Sequence, residues 1–182
     1  MVYPIYRCFA GWYHDPDFMS AKGESPLAKR ALLLLDVQDD FLGNTLDYIA
    51  ALSQRYLDEH AKDYDLVVLT YWLHQENAQQ NTLLLEHESA HVVTKTTYSG
   101  YNDETASLLK ENGITEVHVG GVDAEMSVLA TMFRLLDEKF DVKLLERLIA
   151  SYHGKNTSAM GIARQVLGHD NMLPDGGQRV WI

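Results

Sequence analysis

Five short apolar runs, separated by stretches of helical periodicity, constrain this chain more than any other feature. "ALLLLD" (31–36), "LVVLTYW" (66–72), "HVVTK" (91–95), "EVHVGG" (116–121) and "DVKLLE" (141–146) are of strand length, and most lack polar alternation. A strand that is apolar on both faces must be covered on both, which is the condition of a parallel sheet held between helical layers. The intervening segments supply the covers. Leu46, Ile49, Leu52, Tyr56 and Leu57 share one helical face, and Leu108 and Leu109 precede the stop signal Gly113. Residues 124–139 read as a further helix with Met126, Leu129, Ala130, Phe133 and Leu136 turned inward. A last helix over 156–167 is followed by the turn "LPDGGQ" and by "RVWI", a short edge strand. The expected fold is therefore α/β: a Rossmann-like three-layer α/β/α arrangement around a mostly parallel central sheet.

Length and charge narrow the options. A chain of 182 residues, 46% apolar, can bury one core and is short for two, so residues 30–182 are read as one domain. Residues 1–29, rich in Tyr, Pro, Gly and Asp, fit none of the strand or helix patterns and form an amino-terminal arm. Its aromatics, Tyr3, Tyr6, Phe9, Trp12 and Tyr13, suit packing on the body or on a second subunit. Fifteen Lys and Arg against 26 Asp and Glu give a net charge of −11, with no basic stripe to displace counterions from nucleic acid. A small neutral or cationic ligand fits this charge better. The one cysteine, Cys8, cannot form an internal disulfide, and no Cys/His group has zinc spacing; both suit a reducing cytoplasm. "ALLLL" is too short to span a bilayer, and the opening residues lack a signal peptide's basic and apolar regions, so no membrane association is expected.

In open parallel sheets ligands bind beyond the carboxyl ends of the strands, so polar residues there are the ones to inspect. Asp36 closes the first run, Lys95 closes the third, and Ser127 lies one turn into the helix after the fourth. A carboxylate, an ammonium and a hydroxyl at a helix start could divide the labour of base, electrostatic partner and oxyanion site. Each also has an ordinary reading. Asp36 would serve as a turn former, Lys95 as a solvated edge charge and Ser127 as a helix cap. His74 has no second metal ligand at a helpful spacing and reads as a pocket or surface histidine. Spacing alone gives a crevice and not a reaction.

Three segments add a resemblance. "LLLLDVQDDFL" is similar to the first strand and loop of the isochorismatase-like cysteine hydrolases, the group of nicotinamidases and isochorismatases, where Asp-x-Gln-x-x-Phe follows an apolar strand. "VVTKTTYSGY" resembles their lysine motif, and "GITEVHVGGVDAEMSVLAT" resembles the segment that opens their nucleophile helix; together the match spans about residues 31–170. The resemblance implies Asp36 as catalytic acid/base, Lys95 as catalytic lysine, and Ser127 at the position of the nucleophilic cysteine. It implies a cis peptide at Val122 to Asp123 aiming oxyanion-hole amides, with Met126 beside it, and a pocket walled by Phe41, Trp72, His74 and Tyr101. Members commonly pack as dimers or larger rings, so a homo-oligomer is expected.

The departures bear on function. Serine replaces a thiol that a helix start and a cation can ionise, and a hydroxyl needs a stronger base. Nicotinamidases carry Asp-x-His metal ligands after the second strand; here "YWLHQ" puts Trp72 in place of the Asp, so neither metal nor cofactor is expected. Arg147 also replaces an Asp common after the fifth strand. The expectation is a hydrolase of a small-molecule amide or enol-ether bond using Asp36 and Lys95 as an acid/base pair. The alternatives are a catalytically degenerate relative that binds a ligand or partner, and an amidase that depends on Ser127.

Overall fold

The computed structural model describes residues 28–73 and 82–174. The chain runs β1 (Arg30–Leu35), α1 (Asp39–His60), β2 (Leu66–Trp72), β3 (Ala90–Lys95), α2 (Asp103–Glu111), β4 (Glu116–Val122), a π-helical turn (Ala124–Val128), α3 (Leu129–Asp137), β5 (Asp141–Ala150), α4 (Asn156–Leu167) and β6 (Met172–Leu173). The six strands form one sheet in the order β3-β2-β1-β4-β5-β6, and every neighbouring pair is parallel. Chain order runs outward from β1 in both directions, so the sheet's switch point lies between β1 and β4. A crevice opens at such a point, beyond the carboxyl ends of the strands.

The doubly apolar strands are covered as their sequence requires. Leu32 and Leu34 of β1 join Val67, Leu69 and Leu145 under α1, whose Ile49 and Leu57 are fully buried. Ala31, Leu33 and Leu35 face the other way, with Val68, Val117, Val119 and Leu144, under a layer that includes Leu109 of α2, Met132 and Leu135 of α3 and Ala163 of α4. Asn102 caps α2 by accepting the Thr105 N–H at 2.9 Å, and Gly113, at φ 66°, turns the chain just after its end.

Gly121 shows how tightly the centre is packed. At φ 121°, a Cβ on it would fall 2.1 Å from the Leu35 carbonyl oxygen and 2.5 Å from the Leu35 nitrogen. Only glycine lets β4 and β1 approach this closely at their carboxyl ends.

One expectation needs correction. The inward face of 124–139 is only partly the one read in the sequence: Leu129 is buried and Leu136 packs on the core, but Met126 and Phe133 are exposed, whereas Ala124, Ser127, Val128, Thr131, Met132 and Leu135 are buried. Two hydroxyls on the true inner face, Ser127 and Thr131, disguise it from a count of apolar residues. β6, not read in the sequence, is the last strand among the described residues and lies upstream of "RVWI". That segment, His74 and the arm through residue 27 lie outside the described residues.

Candidate active site

Asp36, Lys95 and Ser127 come from three different elements and meet. Asp36 follows β1 directly, Lys95 ends edge strand β3 and reaches back past β2, and Ser127 lies in the π-helical turn after β4. Asp36 Oδ2 accepts the Ser127 hydroxyl at 2.6 Å and stands 2.7 Å from the Lys95 ammonium nitrogen. Lys95 also donates to Ser127 Oγ at 3.2 Å and to the carbonyls of Thr97 and Tyr98 at 2.9 and 3.0 Å. The ordinary reading of Lys95 falls away. Asp36 and Ser127 have no exposed surface, and Lys95 is 2% exposed, which rules out a solvated edge charge.

A fourth residue, not singled out in the sequence, completes the setting. The Thr70 hydroxyl donates to Asp36 Oδ1 at 2.6 Å and accepts the Asp36 N–H at 3.1 Å. Thr70 pairs with Leu35 in the β1/β2 register, one residue short of Asp36. This two-way contact holds Asp36 at φ 51°, a left-handed conformation uncommon for a residue with a side chain. Its only sequence signal is a hydroxyl within an otherwise apolar central strand.

Burial sets the electrostatics. Desolvation lifts the Asp36 carboxyl above its ordinary value, and Lys95, Ser127 and Thr70 pull it down without cancelling that effect. Desolvation also lowers the Lys95 ammonium, against the pull of Asp36. Both shifts favour a carboxyl that holds its proton more firmly than a solvated aspartate would. Asp123 is pushed up to about 6 by burial and by the Glu125 carboxylate, while its Oδ1 accepts the Tyr152 N–H at 3.0 Å.

The Val122–Asp123 peptide is cis, as the resemblance implies. The Met126 N–H, however, is hydrogen-bonded to the Asp123 carbonyl at 3.1 Å and its side chain is exposed, so its amide is not free to serve as an oxyanion donor. Trp72 packs on the Lys95 end of the trio, with its ring centre 4.4 Å from the Lys95 nitrogen. Phe41 packs on it at 5.7 Å, and Tyr98 meets it edge-on at 5.1 Å. Tyr98 is therefore the tyrosine in contact with Trp72. Tyr101 packs instead on Phe140 at 6.2 Å, with the Arg134 guanidinium 5.5 Å from its ring.

These elements have counterparts. A family model for the isochorismatase domain matches residues 30–168. The chain belongs to that family. Its members include hydrolases such as nicotinamidases, and the chain is a hydrolase-family protein. An isochorismatase-like hydrolase from Alkaliphilus metalliredigens superposes with a TM-score of 0.70 at 20% identity, covering 82% of this chain and 95% of that one. A nicotinamidase from Bacillus subtilis gives 0.64 at 19% identity, covering 80% and 99%. A pyrazinamidase of Pyrococcus horikoshii in complex with zinc gives 0.66 at 23% identity, covering 80% and 97%. No curated protein matches the sequence.

The last of these raises the question of a metal. Trp72, which ends β2, carries an indole, and an indole supplies no lone pair to a divalent ion. Among the described residues no three His, Cys, Asp or Glu side chains are grouped to hold one.

Proposed function

We propose that the chain hydrolyses an amide or vinyl-ether bond of a small molecule, with Asp36 moving the proton and Lys95 as its electrostatic partner. The observation that carries this reading is the Asp36 carboxyl itself: fully buried, raised in pKa by that burial, and shared between an ammonium and a hydroxyl. A group that exchanges protons during a reaction needs an affinity matched to the working pH, and desolvation moves a carboxyl in that direction. On a vinyl ether, protonated Asp36 would deliver its proton to the terminal alkene carbon. Water would then add to the resulting oxocarbenium carbon and return a proton to Asp36, and the hemiketal would collapse to a ketone and an alcohol.

The 2.6 Å hydrogen bond from Ser127 to Asp36 favours a second route for an amide. Ser127 Oγ would attack the carbonyl carbon as Asp36 takes its proton, and Asp36 would pass that proton to the departing nitrogen. Water would then cleave the ester. The absence of exposed surface on Asp36 and Ser127 favours a different class, a degenerate relative that binds without turnover. A net charge of −11 suits a neutral or cationic substrate. Cytoplasmic residence and homo-oligomeric assembly belong to the same proposal.

A panel of small amides and isochorismate, followed by ammonia and pyruvate release, separates these readings. Ser127→Ala should retain turnover if Asp36 alone drives the reaction and lose it if Ser127 is the nucleophile. Absence of release from every compound would leave only the degenerate reading.

A further inference from the structure

With Asp36 ionised, every polar hydrogen of Lys95 and Ser127 has an acceptor within the site. Lys95 has three N–H donors and four oxygens within 3.2 Å: Asp36 Oδ2, Ser127 Oγ and the carbonyls of Thr97 and Tyr98. The single hydroxyl hydrogen of Ser127 goes to Asp36. On the Lys95 corner of this arrangement lies Trp72, its ring against the ammonium and part of its surface at solvent.

Trp72 is held there through its backbone. The Gln38 side chain accepts the Trp72 N–H at 2.6 Å and donates to the Trp72 carbonyl at 3.3 Å, as a neighbouring strand's peptide would. Its amide nitrogen also donates to Thr82 Oγ1 at 3.1 Å, and Gln38 has no exposed surface. Phe41 and Tyr98 flank the indole on either side.

We propose that Trp72 is a specificity-determining cover over the trio, and Gln38 the positioning residue that fixes it, so that together they limit by size what can reach Ser127. The bearing of this on substrate choice rests on the hydrolase reading; the closure itself does not.

The test uses a thiol as a probe of access. Cys8 is the chain's one cysteine, so a Cys8→Ser, Ser127→Cys protein carries a single thiol, at the centre of the trio. Its alkylation is timed with small iodoacetamide and with a bulky maleimide dye, each normalised to the same reagent acting on free cysteine. A change in thiol acidity moves both rates together, so the ratio of bulky to small reports steric access. Adding Trp72→Ala should raise that ratio by about tenfold or more, and Gln38→Met should raise it by a smaller factor. Trp72→Phe serves if the alanine variant does not fold, and should raise the ratio less than removal of the ring would. A ratio near that of free cysteine with Trp72 and Gln38 intact, or one unchanged by the Trp72 substitutions, overturns the proposal. A ratio that moves with Trp72 but not with Gln38→Met removes the assigned role of Gln38. Alkylation needs no turnover: an inactive protein with size-limited access refutes the hydrolase reading and leaves the cover standing, and an active one without it does the reverse.

Discussion

Thr70→Val exchanges a hydroxyl for a methyl at nearly constant shape, and in this site it removes two hydrogen bonds at once. Thr70 and Asp36 are both without exposed surface, so solvent does not replace what valine takes away. Asp36 Oδ1 loses a donor at 2.6 Å and the Asp36 N–H loses an acceptor at 3.1 Å. A hydrogen bond to a charged group is worth roughly 1.5–3 kcal/mol, and an orphaned buried amide costs about 1–3 kcal/mol. The two losses fall on one residue and are not independent, so roughly 2–4 kcal/mol is expected. For a chain of this length that corresponds to a fall of about 5–15 °C in Tm. The deficit should grow toward neutral pH: the hydroxyl helps hold the Asp36 carboxyl down, and without it the charged form is harder to keep buried. Urea unfolding of Thr70→Val beside Thr70→Ser, which keeps the hydroxyl, measures it. A valine variant within about 0.5 kcal/mol of the unmodified protein, or a serine variant equally damaged, would refute the reasoning.

Gly121→Ala should destabilise the chain by more than about 3 kcal/mol, because its Cβ meets the Leu35 backbone rather than a side chain that could move; expression and thermal melting would show it, and a near-native melt would contradict it. At the opposite end of the sheet, buried His118 is hydrogen-bonded to Tyr64 at 2.9 Å and Glu116 at 2.8 Å. Burial lowers its pKa below 6.5 despite Glu116, so folding favours the neutral ring. The contribution is present above pH 6.5 and lost as pH falls through the lowered value, with a slope of at most about 1.4 kcal/mol per pH unit for one proton. Unfolding free energies between pH 7 and 5 should show this slope and should lose it in His118→Gln; an unchanged slope in that variant would remove His118 as its source.

The strands were legible because parallel burial leaves a plain mark. β1, β2, β3, β4 and β5 lie within a few residues of the apolar runs "ALLLLD", "LVVLTYW", "HVVTK", "EVHVGG" and "DVKLLE", and five of them suffice to set the switch point. β6, with two residues, is too short to show any periodicity. The inner face of 124–139 was partly hidden because Ser127 and Thr131 stand where a core helix would carry apolar residues. The meeting of Asp36, Lys95 and Ser127 was legible only once strand ends were combined with the resemblance; each residue alone has an ordinary reading. Thr70 and Tyr98 could not be read, because one acts through strand register and the other through a loop carbonyl and a ring edge. Gln38 lay in plain sight within "DVQDDF", yet its role depends on the backbone of Trp72, 34 positions away.

The central claim, that Asp36 moves the proton, is tested most directly by Asp36→Asn on whichever compound of the amide and vinyl-ether panel the unmodified protein turns over. Asparagine keeps the shape and cannot exchange a proton. The account predicts a loss of about 10²–10⁴ in turnover, typical of a missing acid or base, with ligand binding retained by calorimetry. Turnover by Asp36→Asn within about tenfold of the unmodified protein would contradict it.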